Sequence, residues 1–132
     1  MTWLDRYFPI SSLLAPPLPP PAEGEVRYQG HSVSDPETRE KLGELAKLLD
    51  LPVVVTSGDR TPEDQERLLR EGYQPAKDSE HLHGRAADIY VPGMTAKELA
   101  PFAKKAGFTG IGIYDDGHLH VDTRPLAIAW GK

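Results

Sequence analysis

The chain has no cysteine, so it can build neither a disulfide framework nor a cysteine-ligated structural zinc site. It also lacks a basic run. Fifteen Lys and Arg against twenty Asp and Glu leave a net charge of −5. That balance argues against nucleic acid or an anionic membrane as the main partner, because both demand clustered cations. No apolar stretch approaches the roughly 20 residues of a membrane span. The N-terminal apolar segment carries Trp3, Asp5 and Arg6 and is broken by prolines, which does not read as a cleavable signal peptide. No internal repeat is present. At 132 residues the length suits about one domain with a modest core.

The first thirty residues differ from the rest. Trp3, Leu4, Tyr7, Phe8 and Ile10 form an apolar arm, and Ala15 to Ala22 is a proline-rich spacer of polyproline II character. The arm either packs across the domain or serves as a tether to a partner. Residues 31–132 are expected to form the domain proper.

Within it the punctuation is regular. Asp35 is placed to cap a helix with Pro36 at its first position, and Leu42, Leu45, Leu48 and Leu49 recur as its buried stripe. Leu51 to Thr56 is short and β-branched, a buried strand. Ser57 to Arg60 turns the chain, and Thr61 to Asp64 caps a second helix ending near Gly72, followed by a loop from Tyr73 to Asp78. Ala86 to Val91 reads as a strand. Thr95 to Glu98 is a capping box for a third helix that stops at Gly107. Ile111 to Tyr114 and His118 to Asp122 are strands joined by Asp115-Asp116-Gly117, a hairpin signal. Trp130, in the tail, is expected to lie as a lid on the core. The expected fold is α+β, a small and mostly antiparallel sheet packed with about three helices, with a single zinc site in a cleft.

Four of the five histidines fall in two clusters, Ser79-Glu80-His81-Leu82-His83-Gly84-Arg85-Ala86-Ala87-Asp88 and His118-Leu119-His120-Val121-Asp122. Two His plus one carboxylate, with a fourth position open, is a natural catalytic zinc set and points to hydrolysis. His81 and Asp88 on one helix would lie about 10.5 Å apart along the axis. A turn loosened by Gly84 and followed by a strand lets them converge instead. In the second cluster His118, His120 and Asp122 share one face, with Leu119 and Val121 on the other. One imidazole can then bind metal while its neighbour handles a proton. His83 is the weakest candidate ligand, and His31 reads as a solvated loop residue. Arg60 can cap or pair with Asp64, or it can clamp a substrate carboxylate.

Three ordered blocks carry a family resemblance: Thr56-Ser57-Gly58-Asp59-Arg60-Thr61-Pro62, Ser79-x-His81-x-x-Gly84-x-Ala86-x-Asp88, and His118-Leu119-His120-Val121-Asp122. Together they make the chain, over roughly Ser34 to Trp130, resemble the zinc D-Ala-D-Ala carboxypeptidases and L-Ala-D-Glu endopeptidases of peptidase family M15. The resemblance implies one Zn2+ per chain, held by His81, Asp88 and His120. It implies Arg60 as the substrate clamp, Ser79 as a substrate or ligand contact, and His118 as the base acting on an activated water. Many members carry Glu three residues before the last ligand, where this chain has Gly117. Asp122 and Asp116 therefore stand as alternative proton handlers, and Asp122 also as a carboxylate that fixes an imidazole.

The implied partner is the peptidoglycan stem peptide, and a monomer is expected. The implied setting is a bacterial or bacteriophage cell-wall enzyme, endolysin-like. It would be cytoplasmic as made, then released by lysis or carried by a virion. The competing reading is a non-catalytic zinc-containing module that binds wall peptide or a partner protein. A plain globular domain with incidental histidines would bind no metal tightly.

Overall fold

A computed structural model describes residues 19–72 and 79–131. The apolar arm, the first half of the proline-rich spacer and the expected Tyr73–Asp78 loop lie outside the described residues. In chain order the elements are β1 (Val26–Arg27), α1 (Pro36–Leu49), β2 (Val53–Ser57), α2 (Pro62–Arg70), a 3-10 turn (Glu80–His83), β3 (Ala86–Tyr90), α3 (Ala96–Lys105), β4 (Gly110–Ile113), β5 (Leu119–Asp122) and β6 (Ile128–Trp130).

The helix starts follow the local chemistry. Asp35 accepts a 2.9 Å bond from the Thr38 backbone N–H, with Pro36 beside it at the first turn. Thr61 with Asp64, and Thr95 with Glu98, close reciprocal capping boxes. Asp50 ends α1 in the left-handed region, its N–H directed to the carbonyls of Ala46 and Lys47. The buried stripe of α1 is Thr38, Leu42, Leu45 and Ala46. Leu48, expected in that stripe, falls to one side of it and is 44% exposed.

The six strands form one sheet in the order β1-β2-β3-β5-β4-β6. It is mixed rather than mostly antiparallel. The four central strands pair antiparallel, while β1 runs parallel to β2 and β6 parallel to β4. Both departures are crossovers. Helix α1 links β1 to β2, as a parallel pair requires, and the chain leaving β5 steps past the end of β4 before adding β6 on its far side. Thr109 secures that step: its hydroxyl donates to the Arg124 carbonyl at 2.6 Å, and its carbonyl accepts from the Ile128 N–H at 2.9 Å. A two-residue β1 and a tail strand of three residues carry too little pattern to read from sequence.

The register sorts side chains onto two faces. Val55, Ile89, Leu119 and Ile113 form one cross-strand row, and Ala87, Val121, Ile111 and Ala129 form the next. These rows, apart from the edge residue Ala129, pack into the core, which α1 and α3 cover. Leu119 sits fully buried between His118 and His120 in sequence but on the opposite face. Leu119→Ala should therefore cost about 2–5 kcal/mol of stability, as a denaturant melt would show.

Candidate active site and metal centre

The other face of the sheet carries the polar row. Ser57 pairs with Asp88, Asp88 with His120, His120 with Gly112, and Gly112 with Trp130. These five residues cross the sheet from β2 to β6 on a single line. A register shift between Val55 and Ser57 inserts an extra residue in β2. That bulge turns the following Gly58-Asp59-Arg60 segment across the row.

His81 reaches the row from the 3-10 turn. Ser79 caps that turn by accepting the His81 backbone N–H at 3.2 Å, and Gly84 closes it at a φ of 73°. The His81 Nδ1–H donates to the Gly58 carbonyl at 2.8 Å, which leaves Nε2 as a lone-pair donor facing the row. Gly58 is required there, because a Cβ would lie 2.1 Å from the Ser32 carbonyl oxygen. Asp59 ties the same turn to Ser34, accepting its backbone N–H at 3.1 Å.

His120 is fixed in the complementary tautomer. Its Nε2–H donates to Asp122 Oδ2 at 2.7 Å, so its free lone pair is on Nδ1. His81 Nε2, Asp88 Oδ1 and His120 Nδ1 then form a triangle with every side 3.2 Å. Tetrahedral zinc with bonds of about 2.0–2.1 Å separates its ligand atoms by about 3.3 Å. All three residues are buried. Three lone-pair donors converging out of water repel one another unless a cation or proton lies between them, so the residues fit a zinc ion. This is the set of His, Asp and Glu groups, among the described residues, whose donor atoms converge as a metal requires.

In the metal-free protein the His81 and His120 nitrogens share protons instead: burial alone would raise the Asp88 carboxyl, but hydrogen bonds from protonated His120 and His81 hold it far below the usual carboxylate range. Burial would raise Asp122 in the same way, but the Arg124 and His120 hydrogen bonds win, and its carboxyl is strongly lowered. Burial lowers the His120 imidazole, yet the hydrogen bonds and charges of Asp122 and Asp88 raise it overall. Without metal, a proton takes the cation's place. The depressed carboxylates stabilise the fold above their ordinary value of about 3.9 and lose that contribution as pH falls through the folded value. Raised His120 stabilises below about 6.5 and loses its contribution as pH rises through its folded value. Metal-free protein should accordingly melt highest at mildly acidic pH, as thermal melts across pH would show.

Arg60 is not paired with Asp64, which is occupied in its capping box at 2.9 Å. Its Nη2 contacts Asp88 Oδ2 at 3.2 Å and Ser57 Oγ at 3.4 Å, and its Nη1 contacts Gln65 Oε1 at 3.4 Å. It thus borders the donor triangle on the β2 side and steadies the Asp88 carboxylate. If a metal is held there, Arg60→Ala should weaken its binding by about tenfold, the low end for a residue that supports a metal-holding side chain, as read by chelator competition.

His118 precedes β5 on the same face as His120. Its Nε2 lies 4.0 Å from Asp88 Oδ1, and its Nδ1 is hydrogen-bonded to Asp116. The ring stacks on Tyr114 with centroids 4.3 Å apart and planes 11° from parallel. Asp116 is thereby the partner of His118. Asp122 is fully buried, and beyond His120 it accepts from Arg124 Nε at 2.8 Å and Nη2 at 2.6 Å. His83 and His31 are both exposed and outside the donor set.

Sequence reasoning misses Arg124 and the role of the tail. Trp130, expected as a core lid, instead lies on the site face in β6, half-buried, with its ring 5.0 Å from that of His120. The available signal is Gly110-x-Gly112, two glycines on one face of a strand, which marks close approach. A Cβ at Gly110 would lie 2.0 Å from Asp122 Oδ1, and one at Gly112 would lie 2.3 Å from the Trp130 ring.

A family model described as peptidase M15 matches residues 22–122. Among solved structures, that of the Serratia marcescens L-Ala D-Glu endopeptidase ChiX aligns with a TM-score of 0.47 and 21% identity, covering 56% of this chain and 62% of that one. The chain thus spans less than two thirds of that structure's length. No curated protein matches. With the family model spanning the 3-10 turn and every strand from β1 to β5, the chain belongs to the peptidase M15 family.

Proposed function

We propose that this peptidase is zinc-dependent and hydrolyses peptide bonds in the stem peptide of peptidoglycan. The observation that carries the zinc reading is the 3.2 Å triangle of His81 Nε2, Asp88 Oδ1 and His120 Nδ1. A zinc ion held by His81, Asp88 and His120 would supply a Lewis acid to activate water and polarise the scissile carbonyl. His118 Nε2, facing that position, takes the proton of the attacking water and returns it to the leaving amine nitrogen. Asp116 holds the His118 Nδ1–H, keeping the lone pair of Nε2 directed into the site. Arg60, on the opposite flank, presents a guanidinium to a substrate carboxylate or carbonyl. Asp122 acts by holding the His120 tautomer, since its oxygens are already committed to His120 and Arg124.

The stem peptide as substrate rests on the three sequence blocks and on the family. The direct experiment incubates zinc-loaded protein with purified peptidoglycan and synthetic stem peptides, with products identified by mass spectrometry. Release of a terminal D-Ala would establish a carboxypeptidase. A cut between L-Ala and D-Glu, or within a cross-link, would establish an endopeptidase. Absence of any product from protein with zinc bound would overturn the enzymatic reading in favour of a binding module.

A further inference from the structure

Beyond the residues matched by the family model, the chain adds Arg124 and strand β6 to the metal site. We infer that Arg124 and Trp130 are positioning residues that clamp the His120 ring and preset its Nδ1 for the metal. The inference rests on the zinc reading above.

The geometry is a closed circuit of four side chains. His120 Nε2–H donates to Asp122 at 2.7 Å. Asp122 accepts two bonds from the Arg124 guanidinium, at 2.8 and 2.6 Å, and one from its backbone N–H at 3.1 Å. The Arg124 Cζ lies 5.1 Å from the centroid of the Trp130 ring, within cation–π range. The Trp130 ring returns to His120 at 5.0 Å, inclined by 44°. Trp130 is itself steadied by its Nε1–H, which donates to the Tyr114 hydroxyl at 3.3 Å.

Each contact restrains a different motion of the imidazole. The Asp122 bond fixes the tautomer and opposes rotation in the ring plane. The indole opposes swinging out of that plane. A ligand held this way loses little further freedom when the metal binds, and partners of this kind are worth about 10–100-fold in metal affinity. Gly110 and Gly112 make the circuit possible, because any side chain at either would occupy the space of Asp122 or of the indole. The clamp also depends on the last crossover: β6 pairs with β4 in parallel, with Gly112 opposite Trp130. Its neighbour Leu126 is 82% exposed, so core burial does not explain where the tail lies.

The test measures zinc affinity by chelator competition and the visible absorption of the cobalt(II)-loaded protein, with thermal melting of the metal-free protein as a control of folding. Trp130→Leu, Arg124→Gln and Gly112→Ala are each expected to weaken zinc binding about 10–100-fold and to alter the cobalt spectrum. Trp130→Phe and Arg124→Lys, which keep the ring and the charge, should recover most of the affinity. Wild-type affinity and an unchanged cobalt spectrum in folded Trp130→Leu and Arg124→Gln would overturn the clamp, and so would a lowered melting temperature with affinity intact. If Gly112→Ala does not fold, the half-exposed Trp130 and Arg124 variants decide the question. A wild-type protein that binds no zinc would instead overturn the metallopeptidase reading itself.

Discussion

His120→Ala and Asp88→Ala should each abolish zinc binding and peptide hydrolysis together. Each removes one corner of a triangle whose sides are all 3.2 Å, leaving two protein donors where a catalytic zinc site needs three. The loss in affinity should exceed the roughly 100-fold that marks the upper range for residues merely supporting a ligand. Activity should fall to background at any zinc concentration that does not inhibit. Asp88→Asn separates charge from shape: it keeps the side chain's outline but removes the negative charge that His81, His120 and Arg60 all face. Metal analysis after dialysis, paired with the product assay, checks all three variants. Stoichiometric zinc retained by either alanine variant would remove that residue from the ligand set.

His118→Ala should behave in the opposite way, keeping zinc while turnover falls by about 10²–10⁴-fold, the usual contribution of a positioned acid–base group. The expectation follows from placement. His118 stands outside the donor triangle, with Nε2 4.0 Å from Asp88 Oδ1 and Nδ1 held by Asp116. Asp116→Ala should therefore produce a smaller loss of the same kind, because it frees the ring without removing the base. Wild-type turnover in His118→Ala would sink the assignment. Zinc loss in that variant would show that His118 acts as a ligand rather than a base. Asp122→Ala should lose zinc affinity along with activity, since Asp122 reaches the site through the Nε2–H of His120.

Most of the helices and strands are legible in the amino-acid sequence alone. Capping boxes at Thr61 and Thr95, the Asp35-Pro36 helix start, and the β-branched run at Val53 to Val55 depend on neighbours a few residues away, and each forms where its chemistry indicates. The alternation of β5 places Leu119 and Val121 in the core and His120 and Asp122 on the far face. Leucine spacing overextends the stripe of α1 by one residue, because Leu48 has helical spacing from its neighbours but not the angle that meets the sheet.

What the sequence determined by itself is the local presentation of the candidate donors: His81 on a turn closed by Gly84, Asp88 on a strand, and His120 on a period-two face. Motif spacing encodes these because each depends on a few adjacent dihedral angles. The tertiary structure decided which strands lie side by side, and with that the rest of the site. Only the order β2-β3-β5-β4-β6 brings Ser57, Asp88, His120, Gly112 and Trp130 into one row. The same pairing sets Arg60 on Asp88 rather than Asp64, and moves Trp130 from an expected core lid to the flank of His120. The physical reason is that cross-strand register is a contact between distant segments. It is fixed by which apolar faces can be buried together, and no single segment carries that information.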